Sequence, residues 1–147
     1  MLCALQGKTL VTAESCTGGG ISAALTAIAG SSEVYKGGVI CYTNWVKQNV
    51  LGVDAGALES SGAVSALVAQ AMAEGVRKLL SADVAVSVTG LAGPGGEAFG
   101  NPVGTVFIGY ADANATLSKE FHFQGDREAV RRQAVQAALD LVLQYNR

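Results

Sequence analysis

The most restrictive feature of this sequence is the segment ADVAVSVTG at residues 82–90, which is almost continuously apolar. A short apolar run without polar alternation is typical of a central β-strand that is buried on both faces. Such a strand needs one layer of helices above the sheet and another below it. The segment therefore predicts a three-layer α/β/α fold.

Strand-like and helix-like segments alternate around this central run. Further strands are predicted at residues 8–13, 37–43, 104–112 and 115–125, the last two joined by the turn ADAN. Helices are predicted at residues 21–29 and 44–52, after Ser65 and after Asp126. Ser65 and Asp126 are side chains that can cap a helix N-terminus. We expect one domain over residues 1–147, α/β in class, with a mixed, mostly parallel sheet.

The composition argues against several classes of protein. A net charge of −2 offers no basic surface for nucleic acid, and no apolar run reaches the roughly 18–20 residues of a membrane span. Cys3, Cys16 and Cys41 have no metal-like or paired spacing, which favours a reduced, cytoplasmic protein. Because 50% of the residues are hydrophobic and only 15% are charged, we also expect a homo-oligomer, with a dimer favoured.

Three glycine-rich segments lie where strands would end or helices would begin. They are AESCTGGG at 13–20, TGLAGPGG at 89–96 and GDR at 125–127. In open α/β sheets, ligands bind beyond the carboxyl ends of the strands, and helix N-termini offer N–H groups to phosphate. Neither a P-loop nor a complete dinucleotide fingerprint is present. Together the segments predict a site for an anionic ligand.

The residues leave two kinds of nucleophile open. His122 is the only histidine and lies between two phenylalanines in a predicted strand, so a Ser-His-Asp triad and a histidine-rich metal site are not expected. Cys16 can form a thiolate near a helix N-terminus, although it has no histidine partner. A serine with a desolvated lysine is the other arrangement, and residues 30–47 contain two serines, two tyrosines and two lysines.

Seven motifs, in order from about Lys8 to the C-terminus, resemble the C-terminal domain family of the competence/damage-inducible protein CinA. They are AESCTGG, IAGSS, GGVICYTNWVK, GAVS, TGLAGPGG, NPVGTV and GDREAVRRQA. The resemblance implies a nicotinamide-nucleotide amidase, which converts nicotinamide mononucleotide and water to nicotinate mononucleotide and ammonia without a metal or other cofactor. A catalytically silent nucleotide-binding module and a thiol hydrolase acting through Cys16 are the alternatives.

The resemblance also implies roles for individual residues. The catalytic serine falls on Ser32, a tyrosine that relays or positions a proton on Tyr42, and the lysine general base on Lys47. The opening motif becomes a substrate-binding wall formed by Glu14, Ser15, Cys16, Thr17, Gly18 and Gly19. For the 5′-phosphate of this substrate we expect Arg127, with Thr89, Gly90 and Gly93 as further contacts. We expect backbone N–H groups of Ser31 and Ser32, or of the glycine-rich loops, to stabilise the oxyanion. Asn101 stands where family members often carry lysine.

Overall fold

The computed structural model describes residues 4–5, 7–97 and 99–147. One sheet contains the strands β1 (Leu10–Glu14), β2 (Tyr35–Ile40), β3 (Val84–Gly90), β4 (Thr105–Ala111) and β5 (Thr116–His122). Their spatial order is β2-β1-β3-β4-β5. β1 pairs in parallel with β2 and β3, whereas β4 pairs antiparallel with β3 and β5. Only β4 runs against the other strands, so the predicted mixed, mostly parallel sheet is confirmed.

Helices cover both faces of this sheet. They are α1 (Gly20–Thr26), α2 (Asn44–Asn49), α3 (Ala55–Ser61), α4 (Ala66–Leu79) and α5 (Arg127–Tyr145), and a 3-10 turn spans Ser31–Glu33. α1 and α5 share one apolar core with the sheet, and α3 and α4 share the core on the opposite face. Among the described residues, no helix is both long enough and apolar enough to cross a lipid bilayer.

The central strand β3 is buried on both sides, as its sequence predicts. Val84, Val86 and Val88 belong to the core beneath α1 and α5, whereas Ala85 belongs to the core beneath α4. The Ser87 hydroxyl within the apolar run is also used, because Ser87 Oγ donates a 2.6 Å hydrogen bond to the carbonyl oxygen of Ala69 on α4. The alternating valines explain the three-layer architecture.

Both predicted N-caps are confirmed, while some element boundaries differ from the prediction. Ser65 accepts a hydrogen bond from the Val68 N–H, and Asp126 accepts one from the Ala129 N–H. β2 begins at Tyr35 rather than at residue 37 and ends at Ile40. Residues 41–43, predicted as strand, instead lead out of the sheet to α2. This shift matters for the site, because it defines which residues lie at each end of β2.

Helix α3 was not predicted from the sequence. It has only seven residues, AGALESS, a length too short to display a repeating apolar stripe. Its start is fixed by Asp54, whose carboxylate accepts a 3.1 Å hydrogen bond from the Ala57 N–H. Ala57 and Leu58 are buried in the core shared with α4. Local capping and two buried side chains are therefore enough to define this helix.

Gly109 on β4 allows α4 to lie close to the sheet. A β-carbon at this position would collide with the Ala69 carbonyl oxygen and with Ser87 Oγ. These are the two atoms that form the hydrogen bond between α4 and β3. An added methyl group would therefore push α4 away from the sheet and break that bond.

We expect Gly109→Ala to lower the free energy of unfolding by about 1–3 kcal/mol, because it overpacks the contact between α4 and the sheet. Gly96→Ala is the matched control, since a β-carbon on Gly96 would meet no heavy atom within 4 Å. Urea denaturation measures both midpoints. A Gly109→Ala midpoint equal to that of the wild type would contradict the close packing.

Candidate active site

A cavity of about 360 Å³ opens beyond the carboxyl ends of β1 and β3. This is the position at which open α/β sheets bind ligands. Five parts of the chain contribute to its lining. They are residues 15–16 after β1, residues 42, 44 and 47 around α2, residues 63–64 before α4, residues 89–93, 95, 97 and 99 after β3, and Arg127 at the start of α5.

Ser15 and Lys47 meet at this cavity. Lys47 Nζ lies 2.9 Å from Ser15 Oγ, and it lies 2.8 Å and 3.3 Å from the carbonyl oxygens of Cys41 and Tyr42. Lys47 is only 1% exposed. Within the described residues, the one ion pair joins His122 to Glu120, so no carboxylate neutralises the Lys47 amine. Burial lowers the pKa of Lys47, although the nearby Cys41 and Cys16 thiols oppose this effect.

The surroundings of Lys47 define the orientation of its neutral amine. A neutral amine has two N–H donors and one lone pair. The two carbonyl oxygens can only accept hydrogen bonds, so they take the two N–H groups. The structure has Lys47 Nζ donating to Ser15 Oγ. Once the amine is neutral, its lone pair is left for the proton of the Ser15 hydroxyl. This arrangement suits the transfer of a proton from Ser15 to Lys47.

Glu14 is buried behind Ser15 and organises the turn that carries it. One carboxylate oxygen accepts hydrogen bonds from Thr17 Oγ1 and from the Ile21 N–H, at 2.6 and 2.7 Å. The other accepts from the N–H and the hydroxyl of Ser22, at 3.0 and 2.7 Å. A carboxylate at the N-terminus of α1 also interacts favourably with the helix dipole. Glu14 therefore supports the turn and does not line the cavity.

The predicted substrate-binding wall is thus divided in two. Ser15 and Cys16 line the cavity, whereas Thr17, Gly18 and Gly19 lie outside its lining. Arg131 on α5 holds the outer part, because its guanidinium donates to the carbonyl oxygens of Cys16 and Thr17 at 3.1 and 3.2 Å. Arg131 is not among the predicted site residues. Its position one helical turn after Arg127 is the signal that identifies it, because residues four apart share a helix face.

The structure does not bring Ser32 to this site. Ser31 and Ser32 belong to the 3-10 turn that precedes β2, and the nearby Val34 carbonyl accepts a hydrogen bond from Leu10, the first residue of β1. Ser15 follows the last residue of β1, so the two serines lie at opposite ends of that strand, about 15 Å apart. This placement corrects the assignment of Ser32 as nucleophile and of Ser31 as oxyanion donor. β2 carries the chain from one end of the sheet to the other between Ser32 and Lys47.

Arg127 lies at the mouth of the cavity, where it joins two other segments. Its Nη1 donates to the Gly93 carbonyl oxygen at 2.7 Å, and its Nη2 donates to Tyr42 Oη at 3.0 Å. Among the described residues, no carboxylate lies within 4 Å of the guanidinium. The Tyr42 hydroxyl contacts Arg127, and only the Tyr42 carbonyl contacts Lys47. Tyr42 is therefore suited to binding substrate at the mouth.

The remaining predicted contacts belong to the end of β3 and its loop. Thr89, Gly90 and Gly93 all line the cavity. The Thr89 hydroxyl is already engaged, because it donates a 2.8 Å hydrogen bond to the Ala63 carbonyl oxygen. Asn44, Glu97 and Phe99 also line the cavity, and they are not among the predicted site residues. Glu97 and Phe99 come from the turn-rich segment 91–102, whose sequence has no periodicity from which the direction of a side chain could be predicted.

Cys16 is poorly suited to act as a nucleophile. Its side chain is 7% exposed, and burial raises the pKa of its thiol to about 11. Very little thiolate is therefore present near neutral pH, and the thiolate is the reactive form. Within the described part of the chain, no three His, Cys, Asp or Glu side chains come together as a metal site.

The sequence matches a known family over nearly its whole length. Residues 2–146 match the family model described as the CinA C-terminal domain. A CinA-like protein from Rippkaea orientalis is 47% identical over 92% of this chain and 33% of that protein. Another from Thermosynechococcus vestitus is 50% identical, again over 92% of this chain and 33% of that protein. The chain therefore spans about a third of the length of these curated relatives.

Solved structures agree with the sequence matches. The competence damage-inducible protein A (ComA) from Klebsiella pneumoniae superposes with a TM-score of 0.92 and 40% identity, over 96% of this chain and 88% of that chain. The competence/damage inducible protein CihA from Agrobacterium tumefaciens gives a TM-score of 0.93 and 42% identity, over 97% and 87%. The family-model match and these similarities show that this chain belongs to the CinA C-terminal domain family.

Proposed function

We propose that this domain is a nicotinamide-nucleotide amidase, which hydrolyses nicotinamide mononucleotide to nicotinate mononucleotide and ammonia. The observation that carries the proposal is the 2.9 Å contact between Lys47 Nζ and Ser15 Oγ in the cavity. A serine beside a buried lysine without a carboxylate partner provides covalent catalysis without histidine. Membership of the CinA family is consistent with this activity. A role in cytoplasmic pyridine nucleotide recycling belongs to the proposal, and the homo-oligomeric state stays a prediction.

In the first half-reaction, Ser15 Oγ attacks the carboxamide carbon while its proton passes to Lys47 Nζ. The positively charged pyridinium ring withdraws electrons, which makes this carbonyl a better electrophile than that of an ordinary amide. The tetrahedral intermediate collapses when the C–N bond breaks and Lys47 returns the proton to the departing nitrogen. Ammonia leaves, and Ser15 carries an ester of nicotinate mononucleotide.

The second half-reaction uses the same two groups in reverse. Water takes the place vacated by ammonia, and Lys47 removes a proton as the water oxygen attacks the ester carbonyl. The C–O bond to Ser15 then breaks, and the proton on Lys47 returns to Ser15 Oγ. Nicotinate mononucleotide forms as the carboxylic acid, and its carboxyl proton passes to solvent.

A backbone N–H group beside Ser15 supplies an oxyanion contact in this mechanism. The Ser15 N–H is itself engaged, because it donates to the Val88 carbonyl oxygen at 3.0 Å. The N–H group of Cys16, which lines the cavity, makes no hydrogen bond to another described residue. Arg131 fixes the Cys16 carbonyl group. Donors held in advance stabilise an oxyanion without reorganisation.

Arg127 binds the 5′-phosphate at the mouth of the cavity in this proposal. Its planar guanidinium suits the oxygen atoms of a phosphate, and no carboxylate among the described residues competes for it. Tyr42 Oη lies beside it and provides a further polar contact. The phosphate is thereby separated from the reacting carboxamide at Ser15.

Ser15→Ala is expected to lower kcat/KM for nicotinamide mononucleotide by about a thousandfold or more, because it removes the nucleophile. Ser32→Ala is the matched control and is expected to change kcat/KM by less than about twofold, since Ser32 lies at the other end of β1. A coupled ammonia assay measures both variants. Full activity of Ser15→Ala would contradict the mechanism. Nucleotide binding by the wild type without ammonia release would indicate the catalytically silent module.

We expect kcat/KM to rise with pH as Lys47 loses its proton, because only the neutral amine accepts the Ser15 proton. Burial lowers the Lys47 pKa, so the rise should occur below the ordinary pKa of lysine. The unfolded chain keeps this proton to higher pH than the folded chain, so folding stability should also rise between the two pKa values. Lys47→Arg should abolish the rise, because guanidinium does not deprotonate. A wild-type profile in that variant would exclude Lys47 as the base.

Arg127→Ala is expected to raise KM for nicotinamide mononucleotide by about tenfold to a hundredfold, through loss of a charge-assisted hydrogen bond to phosphate. Slow turnover of nicotinamide riboside, which has no phosphate, should scarcely change. Arg132→Ala is the control, because Arg132 is exposed on the same helix and does not line the cavity. Steady-state kinetics on both substrates provides the measurement. Equal losses on both would show that Arg127 supports the catalytic centre.

A further inference from the structure

The charged side chains that line the cavity differ in their surroundings. Lys47, Glu97 and Arg127 are the charged residues in its lining. The Lys47 amine is already engaged at the reacting centre, because its Nζ contacts Ser15 Oγ and the carbonyl oxygens of Cys41 and Tyr42. Arg127 remains as the cation and Glu97 as the carboxylate. The cavity therefore offers one positive group and one negative group to its ligand.

These two groups belong to opposite sides of the site. Arg127 begins α5, which packs on one face of the sheet. The loop that contains Glu97 starts beside Arg127, which donates to the Gly93 carbonyl oxygen. Its later part reaches the α4 side, where Asn101 Nδ2 donates a 3.0 Å hydrogen bond to the Val64 carbonyl oxygen. On the same side, the Phe99 ring lies against Gly62, where an added β-carbon would collide with it. Ser15 follows β1 and therefore lies in the sheet layer between them.

The Glu97 carboxylate is held in place without being neutralised. One oxygen accepts a 3.0 Å hydrogen bond from the Phe99 N–H, and the other accepts a 2.9 Å hydrogen bond from the Asn101 N–H. No Lys, Arg or His within the described ranges lies within 4 Å of this carboxylate. The Phe99 side chain is 49% exposed and lines the cavity beside it. A carboxylate and an aromatic ring together form a site for an organic cation.

Nicotinamide mononucleotide carries both complementary charges. Its phosphate is negative, and the alkylated ring nitrogen makes the pyridinium ring permanently positive. With the phosphate at Arg127 and the carboxamide at Ser15, the ring lies on the Glu97 side of the phosphate. We propose that Glu97 and Phe99 form a cation subsite, which selects the oxidised pyridinium ring over its neutral dihydropyridine form. This inference rests on the proposed amidase function for the identity of the ligand.

Binding to the Ser15→Ala variant tests the subsite without turnover. Isothermal titration calorimetry compares nicotinamide mononucleotide with dihydronicotinamide mononucleotide, which has the same phosphate and ribose but an uncharged ring. Adding Glu97→Gln is expected to weaken binding of the cationic nucleotide by about fivefold to twentyfold and to change the neutral one by less than about twofold. Phe99→Leu should weaken the cationic nucleotide by about twofold to fivefold. Glu59→Gln, an exposed charge change outside the cavity, is the control.

The outcomes separate the subsite from a structural role of the loop. Equal weakening of both nucleotides by Glu97→Gln would overturn the subsite, because loss of loop structure does not depend on ring charge. Unchanged binding of the cationic nucleotide, or no binding of either one, would also overturn it. Loss of ring selectivity in Glu97→Gln, with no ammonia released by the protein carrying Ser15, would support the subsite while contradicting the amidase.

Discussion

The buried Glu14 side chain is the interaction on which the candidate site depends. Its carboxylate gathers Thr17, Ile21 and Ser22 into one turn, which ends β1 and begins α1. The Glu14 carbonyl oxygen accepts a 2.9 Å hydrogen bond from the Cys41 N–H, so the same residue also fixes the chain that leads to α2. Ser15 and Lys47 therefore approach each other because one residue positions both of their segments. Both carboxylate oxygens accept hydrogen bonds, so burial of Glu14 leaves neither of them unpaired.

Burial of Lys47 is energetically unfavourable, but it also favours the neutral form of the amine, which can act as a base. A charged amine loses much of its hydration inside a protein, and its pKa falls when no opposite charge compensates. At Lys47, two carbonyl oxygens accept hydrogen bonds from the amine, but they add no negative charge that would hold its proton. The Lys47 amine therefore loses its proton more easily than the amine of an exposed lysine does. An aspartate or glutamate in place of those carbonyls would hold the proton on the lysine and remove this property.

Much of the fold follows from local sequence, because apolar periodicity and N-caps act over a few residues. The apolar run around Val86, together with the caps Ser65 and Asp126, correctly predicts the central strand and the two long helices. The nucleophile is harder to predict from the sequence than the fold is, because Ser15 and Ser32 both lie in short polar segments beside strands. One follows a strand and the other precedes one, and in a parallel sheet these positions lie at opposite ends. Glu97 and Phe99 depend on the path of an irregular loop, which no local pattern specifies.

The arginines of α5 contact parts of the site that lie much earlier in the sequence. Arg131 contacts the Cys16 carbonyl across 115 residues of sequence, and Arg127 contacts Tyr42 across 85. During synthesis, Ser15 and Lys47 leave the ribosome long before these arginines do. The turn that carries Ser15 is therefore braced, and the mouth beside Tyr42 closed, only after α5 has emerged and docked on the sheet. A nascent chain that has already formed the parallel pair of β1 and β2 still lacks both of these supports.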